Sequence, residues 1–286
     1  MKRNEIDLEK YAAYLRQNEK SAGTIEKYVS EMRHYEKWLK ENRIRKPMAS
    51  EERAKEVALM YKDYLKCCRF SPSSVNVKLA ALNSYFRYVG YDISLRYLKM
   101  QRRIFVEKSR VLTLNEYRRL VSAAREEGKE KIALIMETMA STGMRVSELQ
   151  YVTVENIAHN KIRVDLKNKI RTIIIPDLLL AKLYKYVESE GIQEGEIFRT
   201  ETGRPMRRRD VWCEMKAISR SAGVAGTKVF PHNMRHVFAR TYWKQSKDLA
   251  RLADILGHSS LETTRVYLMD TTSECERQIN KLGIVC

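Results

Sequence analysis

Only one stretch of this sequence alternates in the way a β-strand requires. Lys161-Ile-Arg-Val-Asp-Leu166 and Arg171-Thr-Ile-Ile-Ile-Pro176 are β-branched segments joined by Lys167-Asn-Lys-Ile170, which predicts a hairpin with lysines on its tip. Elsewhere apolar residues recur at three- and four-residue spacing. A lone hairpin cannot bury a core of its own, so helices must carry the fold. The expected class is mainly α (α+β).

The helical pattern divides in two. Glu5–Arg16 is a short amphipathic helix, and Thr24 is the expected N-cap of a second, with Ile25, Tyr28, Met32, Tyr35 and Leu39 on one stripe. Val57, Met60, Tyr64 and Leu65 mark a third. Ser71-Pro72-Ser73-Ser74 starts a fourth, striped by Val75, Leu79, Leu82 and Phe86 and ended by Gly90. The opposite face of that helix carries Asn76, Lys78, Asn83 and Arg87, residue types that reach phosphates or base edges, although a solvated face has the same composition.

A basic connector over 93–108, with Arg96, Lys99, Arg102, Arg103 and Lys108, separates a helical domain at 1–92 from a second at 109–286. The second opens on Thr113-Leu-Asn-Glu116, which has capping-box spacing. An apolar helix over Lys131–Thr142 leads into STGMRVSEL, where Arg145 follows a turn and Glu148 stands three residues on as an ion-pair partner. After the hairpin come a helix over Asp177–Ser189, the basic cluster Arg207-Arg208-Arg209, and a tail whose residues Ser273–Leu282 have helical spacing.

Charge points to a partner. Fifty-four Lys and Arg against 36 Asp and Glu leave a net charge of +18, with an excess of basic residues on both sides of the connector. A polyanion, most often nucleic acid, is the expected ligand. No uncharged apolar run approaches the roughly 18 residues of a membrane span, and acidic residues near the N-terminus disfavour a secretory signal. Five cysteines without a C-x-x-C pair disfavour a zinc site or a disulfide framework. The expectation is therefore a cytoplasmic, nucleoid-associated protein with no metal, no cofactor and no membrane partner. No P-loop pattern is present to hold a nucleotide.

Pro231 to Tyr267 holds three of the five histidines, reading PHNMRH, then LGHSS, then LETTRVY. His232 and Arg235 share one helix face. Arginine grips phosphate oxygens bidentately and histidine donates or shuttles a proton, while a tyrosine hydroxyl can attack phosphorus. Each residue alone is better explained as a satisfied core group; the ordered set is not.

That set is Arg145, a hairpin lysine, His232-x-x-Arg235, Leu-Gly-His258 and Tyr267 nine residues later. It resembles the tyrosine recombinase (phage-integrase-type) family over nearly the whole chain, and among its members the compact two-domain Xer-like and mobile-element integrases. The resemblance implies an N-terminal SAM-like helical bundle that binds the core site, and a mostly helical DNA breaking-rejoining catalytic domain with a small hairpin and a C-terminal tail helix. It implies cleavage and rejoining of double-stranded DNA at a specific core site through a 3′-phosphotyrosine, without metal or ATP. Four protomers would act on two duplexes, with an accessory protein left open.

By position, Arg145 and Arg235 match the phosphate clamp, and His232 matches a histidine that bonds the phosphate and helps take the nucleophile's proton. His258 matches a donor to a non-bridging oxygen, Tyr267 the nucleophile and Glu148 a supporting acid. His236 is expected to be structural. Many relatives carry Gly-Lys-Gly before the second strand, whereas this chain has Leu166-Lys167-Asn168-Lys169. Spacing to Arg171 favours Lys167 as the general acid, with Lys169 as runner-up. Integration or excision of a mobile element is the expected role, against DNA inversion or dimer resolution. A non-catalytic DNA-binding protein would not need Tyr267, and a monomeric type IB topoisomerase would not need the bundle and tail.

Overall fold

The computed structural model describes residues 6–100, 107–166, 169–268, 276–277 and 280–282. It divides into two compact units, Met1–Arg102 and Arg103–Cys286.

The first unit is a four-helix bundle: α1 (Leu8–Gln17), α2 (Ala22–Glu41), α3 (Glu51–Cys67) and α4 (Pro72–Val89). Polar side chains start three of these helices. Asp7, Ser50 and Ser71 accept from the backbone N–H three residues on, and Gly90 ends α4 in the left-handed region. Helix α2 begins two residues before the expected cap: Ser21 is the N-cap, and its hydroxyl bonds that of Thr24. The apolar stripe of α3 is also rotated from the expected one. Val57, Tyr61 and Leu65 are buried while Met60 and Tyr64 are exposed, because aromatic and apolar residues occupy both sides of this helix and spacing alone does not rank them.

The start of the expected connector belongs to this bundle. Ile93 and Leu95 are buried in its core, and two asparagines of α4 clasp the strand-like segment that carries them. Asn83 donates to the Leu95 carbonyl and accepts from its N–H; Asn76 does the same for Leu98.

The second unit holds eight α-helices among its described residues: α5 (Leu114–Glu126), α6 (Glu130–Thr142), α7 (Val154–Ile157), α8 (Asp177–Ser189), α9 (Arg208–Ile218), α10 (Pro231–Ser246), α11 (Leu249–Leu256) and α12 (Leu261–Arg265). Between α7 and α8 stand the antiparallel strands β1 (Lys161–Leu166) and β2 (Lys169–Ile174). Thr113 and Glu116 form the full reciprocal capping box. Helix α6 is the centre of the packing: Ile132, Leu134, Ile135 and Met136 are all buried, against α5, α8, α9 and α10. Each such side chain contributes about 1.5–3 kcal/mol on burial. The largely apolar character of α6 follows from its contacts with four helices, while Glu137 on its remaining face pairs with Arg125 and Lys182.

The hairpin is tighter than its sequence suggests. Strand β2 starts at Lys169, which pairs with Leu166, so the connection is two residues and not four. Ile162 and Val164 face the core opposite Ile173 and Arg171, and this register pulls Lys169 and Ile170 into the ladder. No described helix is long and apolar enough to cross a membrane.

Candidate active site

Helix α10 begins with Pro231 at its first position, where a missing N–H costs nothing. One turn later Arg235 points into the protein and is fully buried at 0% exposure. Its guanidinium donates to the carbonyls of Gly143 and Leu256, to His258 Nε2 at 2.9 Å and to the Tyr267 hydroxyl at 3.3 Å. Those two carbonyls lie at helix C-termini. Helix α6 is closed by Gly143 (φ 67°) and α11 by Gly257 (φ 64°), both left-handed. A Cβ on Gly143 would stand 2.5 Å from the Phe238 ring, so only glycine brings this carbonyl in.

Helix C-termini carry partial negative charge, and here two converge on one cation. Among the described residues no carboxylate bonds to Arg235. Burial first, then the charge of Arg145, pull its pKa down to about 10, so it stays protonated at neutral pH. An ion buried without a full counter-charge is costly, and a phosphate would supply one.

Tyr267 sits on a short 3₁₀ helix (Val266–Leu268) directly after α12, and is buried. Its ring lies 4.4 Å from His236 and 5.3 Å from both His232 and His258, centroid to centroid, with the Arg235 guanidinium 5.7 Å away. Arg240 donates to the Tyr267 carbonyl at 3.3 Å and fixes the backbone.

Hydrogen bonding decides the proton positions on His258. A guanidinium only donates, so His258 Nε2 must accept from Arg235. The neutral ring then carries its proton on Nδ1, which donates to Thr264 Oγ1 at 2.8 Å. Burial and then the charge of Arg235 hold this imidazole down at about 4. His236 is pushed to about 3, mainly by burial, and its Nδ1 is buried without a partner. Packing around the His232 ring, then the charges of Arg235, Arg208 and Arg145, hold that pKa below the usual imidazole value. All three rings are neutral near pH 7.

Arg145 opens the site from the other side. It follows Gly143 and starts a 3₁₀ helix (Val146–Tyr151) whose Glu148 accepts from the Arg145 backbone N–H at 2.7 Å and from its Nη1 at 3.1 Å. Glu148 is buried, whereas the Arg145 side chain remains 40% exposed. Arg171 of β2 reaches the same carboxylate with Nη2 and the Ile255 carbonyl with Nη1 at 2.7 Å. Burial works against the charge on Glu148, but the Arg145 N–H and the Arg171 and Arg145 guanidiniums outweigh it and keep the carboxyl below its usual range. The ion pair expected between Arg145 and Glu148 therefore exists, and it orients the arginine.

Arg145, Glu148, His232, Arg235, His236, His258 and Tyr267 thus converge. Lys167 lies outside the described residues, as do Arg102, Arg103 and half of the expected tail helix; Lys169 stands in β2 two positions before Arg171. Arg207, Arg208 and Arg209 are exposed at the start of α9, with Arg208 near enough to act on His232.

On α4 the expected nucleic-acid face needs correcting. Asn83 is buried, Asn76 spends both ends of its amide on Leu98, and Lys78 pairs with the buried Glu31 of α2. These three hold the bundle together, and of the four only Arg87 is exposed. Arg171 and Thr264 were not singled out by the sequence. Parity offered a signal for Arg171, which alternates with the buried Ile173 and Ile175; nothing comparable marks Thr264.

Comparison with known proteins gives this geometry a family. The phage integrase family model matches residues 110–274, and the phage integrase N-terminal SAM-like domain matches 8–90. The chain belongs to the phage integrase family. It is a tyrosine recombinase, a DNA strand-exchange enzyme of the site-specific class. Tyrosine recombinase XerA of Pyrococcus furiosus is 29% identical over 99% of this chain and 96% of its own length, and XerA of Thermococcus kodakarensis is 28% identical over the same shares. In fold, the integrase resembles XerH bound to a palindromic difH substrate in a post-cleavage complex (TM-score 0.73, 17% identity, 95% of this chain and 83% of that one). It also resembles a lambda integrase fragment (75–356) dimer on a COC′ core site (TM-score 0.70, 22% identity, 91% and 93%).

Proposed function

We propose that this integrase cleaves one DNA strand at a specific core site by attack of Tyr267 on the scissile phosphate, and rejoins it to a second duplex. The observation that carries this reading is the bond between the Tyr267 hydroxyl and a buried guanidinium that has no carboxylate partner among the described residues. Nucleophile and anion receptor already touch. A phosphate entering between Arg235 and Arg145 receives donors from both sides, and these strengthen as charge builds on the pentacoordinate phosphorus.

The Tyr267 O–P bond forms as the P–O5′ bond breaks. The phenolic proton needs an acceptor; His258 is committed at both nitrogens and His236 is more enclosed, so we assign the proton to His232, neutral and the exposed one of the three rings. When phosphate displaces His258 from Arg235, the Thr264 hydroxyl can turn from acceptor to donor. The His258 proton then moves to Nε2, where it bonds a non-bridging oxygen. We assign protonation of the leaving 5′ oxygen to the hairpin, with Lys167 first and Lys169 second. Arg87, the Arg102–Arg103 pair and Arg207–Arg209 are proposed backbone contacts.

Attack exchanges one phosphodiester for another, so the step is reversible and needs no ATP. Exchange between duplexes calls for four protomers, as in the lambda integrase tetramer bound to a Holliday junction, whose fold this chain shares. Integration or excision of an element is the first reading of the errand. Full-length similarity to Xer recombinases favours dimer resolution as the second.

The test is a nicked suicide duplex carrying the exchange site mapped from the DNA flanking the gene. The unsubstituted enzyme should accumulate a covalent adduct, and Tyr267→Phe should bind equally and form none. Lys167→Ala should fail on the ordinary 5′ oxygen and recover with a 5′-bridging sulfur, which leaves without a proton. Recovery confined to Lys169→Ala would move the acid to that residue.

A further inference from the structure

The hairpin is tied to the proposed phosphate clamp by a residue whose own hydrogen bonds go to a carboxylate and a backbone carbonyl, not to the nucleophile. Arg171 lies on β2, with only 11% of its side chain exposed. It crosses to Glu148, the carboxylate that orients Arg145, and to the carbonyl of Ile255 near the end of α11, two residues before Gly257 and three before His258. One guanidinium thereby joins three elements: the hairpin, the 3₁₀ helix of Arg145 and the helix that presents His258. Room has been made for it, since a Cβ on Gly257 would come within 2.7 Å of its Cδ. A second tie, from the Tyr151 hydroxyl to the Asp165 carbonyl at 2.7 Å, grips β1 just before the turn.

We infer that Arg171 is a positioning residue that sets the distance between the hairpin lysine and the phosphate held by Arg145 and Arg235. This rests on the reading that a hairpin lysine protonates the leaving oxygen. Lys169 stands in β2 two residues before Arg171, and Lys167 precedes that strand by two residues, so the strand that Arg171 anchors leads directly to either lysine. Without the anchor the clamp keeps Arg145, Arg235 and Tyr267, but the acid loses its fixed approach. A displacement of about 1 Å in a reacting group is enough to cost on the order of 100-fold in rate.

The experiment compares single-turnover cleavage of the same nicked duplex with a 5′-bridging oxygen or a 5′-bridging sulfur. Arg171→Ala should bind normally, cleave the oxygen substrate on the order of 100-fold more slowly, and return to within a few-fold of the unsubstituted enzyme on sulfur. Arg171→Lys keeps a charge beside Glu148 but cannot also span to Ile255, and should show the same signature with a smaller loss; it carries the test if Arg171→Ala does not fold. An equal defect on both substrates, with a lysine variant still rescued by sulfur, would overturn the assignment and leave the lysine reading standing. If sulfur rescues neither Lys167→Ala nor Lys169→Ala, the lysine reading fails and this assignment falls with it.

Discussion

The two units each bury an ion, and they treat it in opposite ways. In the helical bundle the ion is Glu31 of α2, 4% exposed, and it is held by two cations, Lys27 at 2.5 Å and Lys78 of α4 at 2.5 Å, and by the His34 ring at 3.1 Å. Burial works against its charge, but these partners bring its pKa down to about 2. In the catalytic unit the ion is Arg235, and it receives helix-end carbonyls, a histidine and a phenol in place of an acid. Its pKa moves against its charged form, to about 10. A buried ion with surplus partners locks two helices together. Under the proposed function, one with a deficit is completed by the scissile phosphate, so the first arrangement would serve stability and the second chemistry.

The comparison can be broken most directly at Arg235. Arg235→Gln should lower adduct formation by about 100- to 1,000-fold, the range for loss of a transition-state donor, while its melting temperature falls less than that of Glu31→Gln. A larger thermal loss for Arg235→Gln would mean that this guanidinium is chiefly a strut. Glu31→Gln should cost about 3 kcal/mol by leaving Lys78 buried without its partner. Denaturant unfolding measures this, and single-turnover cleavage below the melting temperature should stay near that of the unsubstituted enzyme.

Acid unfolding offers a smaller and sharper contrast. His236 and His258 have folded pKa values of about 3 and 4, below the ordinary 6.5. The unfolded chain therefore binds protons first as pH falls, and stability drops from pH 6.5 down toward 4 and 3. Glu31, also depressed, contributes fully above about 4.5 and loses its contribution only as pH falls toward 2. His236→Phe should flatten the upper window and Glu31→Gln the lower one, in melting temperatures taken across pH 2 to 8. Overlapping profiles for the two variants would contradict the assignment of separate windows.

What the sequence reveals depends on where each side chain's partner lies. The clustering of His232, Arg235, His258 and Tyr267 was legible because they keep fixed spacings along helices that bring them together. Helix α6 was legible because it is largely apolar, and the capping box at Thr113 because both partners lie within three residues. Asn76 and Asn83 give the signal of a nucleic-acid face because a polar stripe looks the same whether it meets solvent or a length of backbone. Their partners are the N–H and C=O groups of Leu95 and Leu98, which residue types do not encode. Arg171 reaches an acid 23 residues away and a carbonyl 84 residues away. The convergence of two helix C-termini on Arg235 requires the fold itself.

The proposed role of the deficit around Arg235 is to hold a phosphate against Tyr267. It is tested most directly by trapping the covalent complex on a nicked duplex, digesting it and locating the DNA-linked peptide by mass spectrometry. The account predicts a nucleotide attached through its 3′ phosphate to Tyr267. A link to any other side chain, or cleavage that leaves no protein attached, would contradict it.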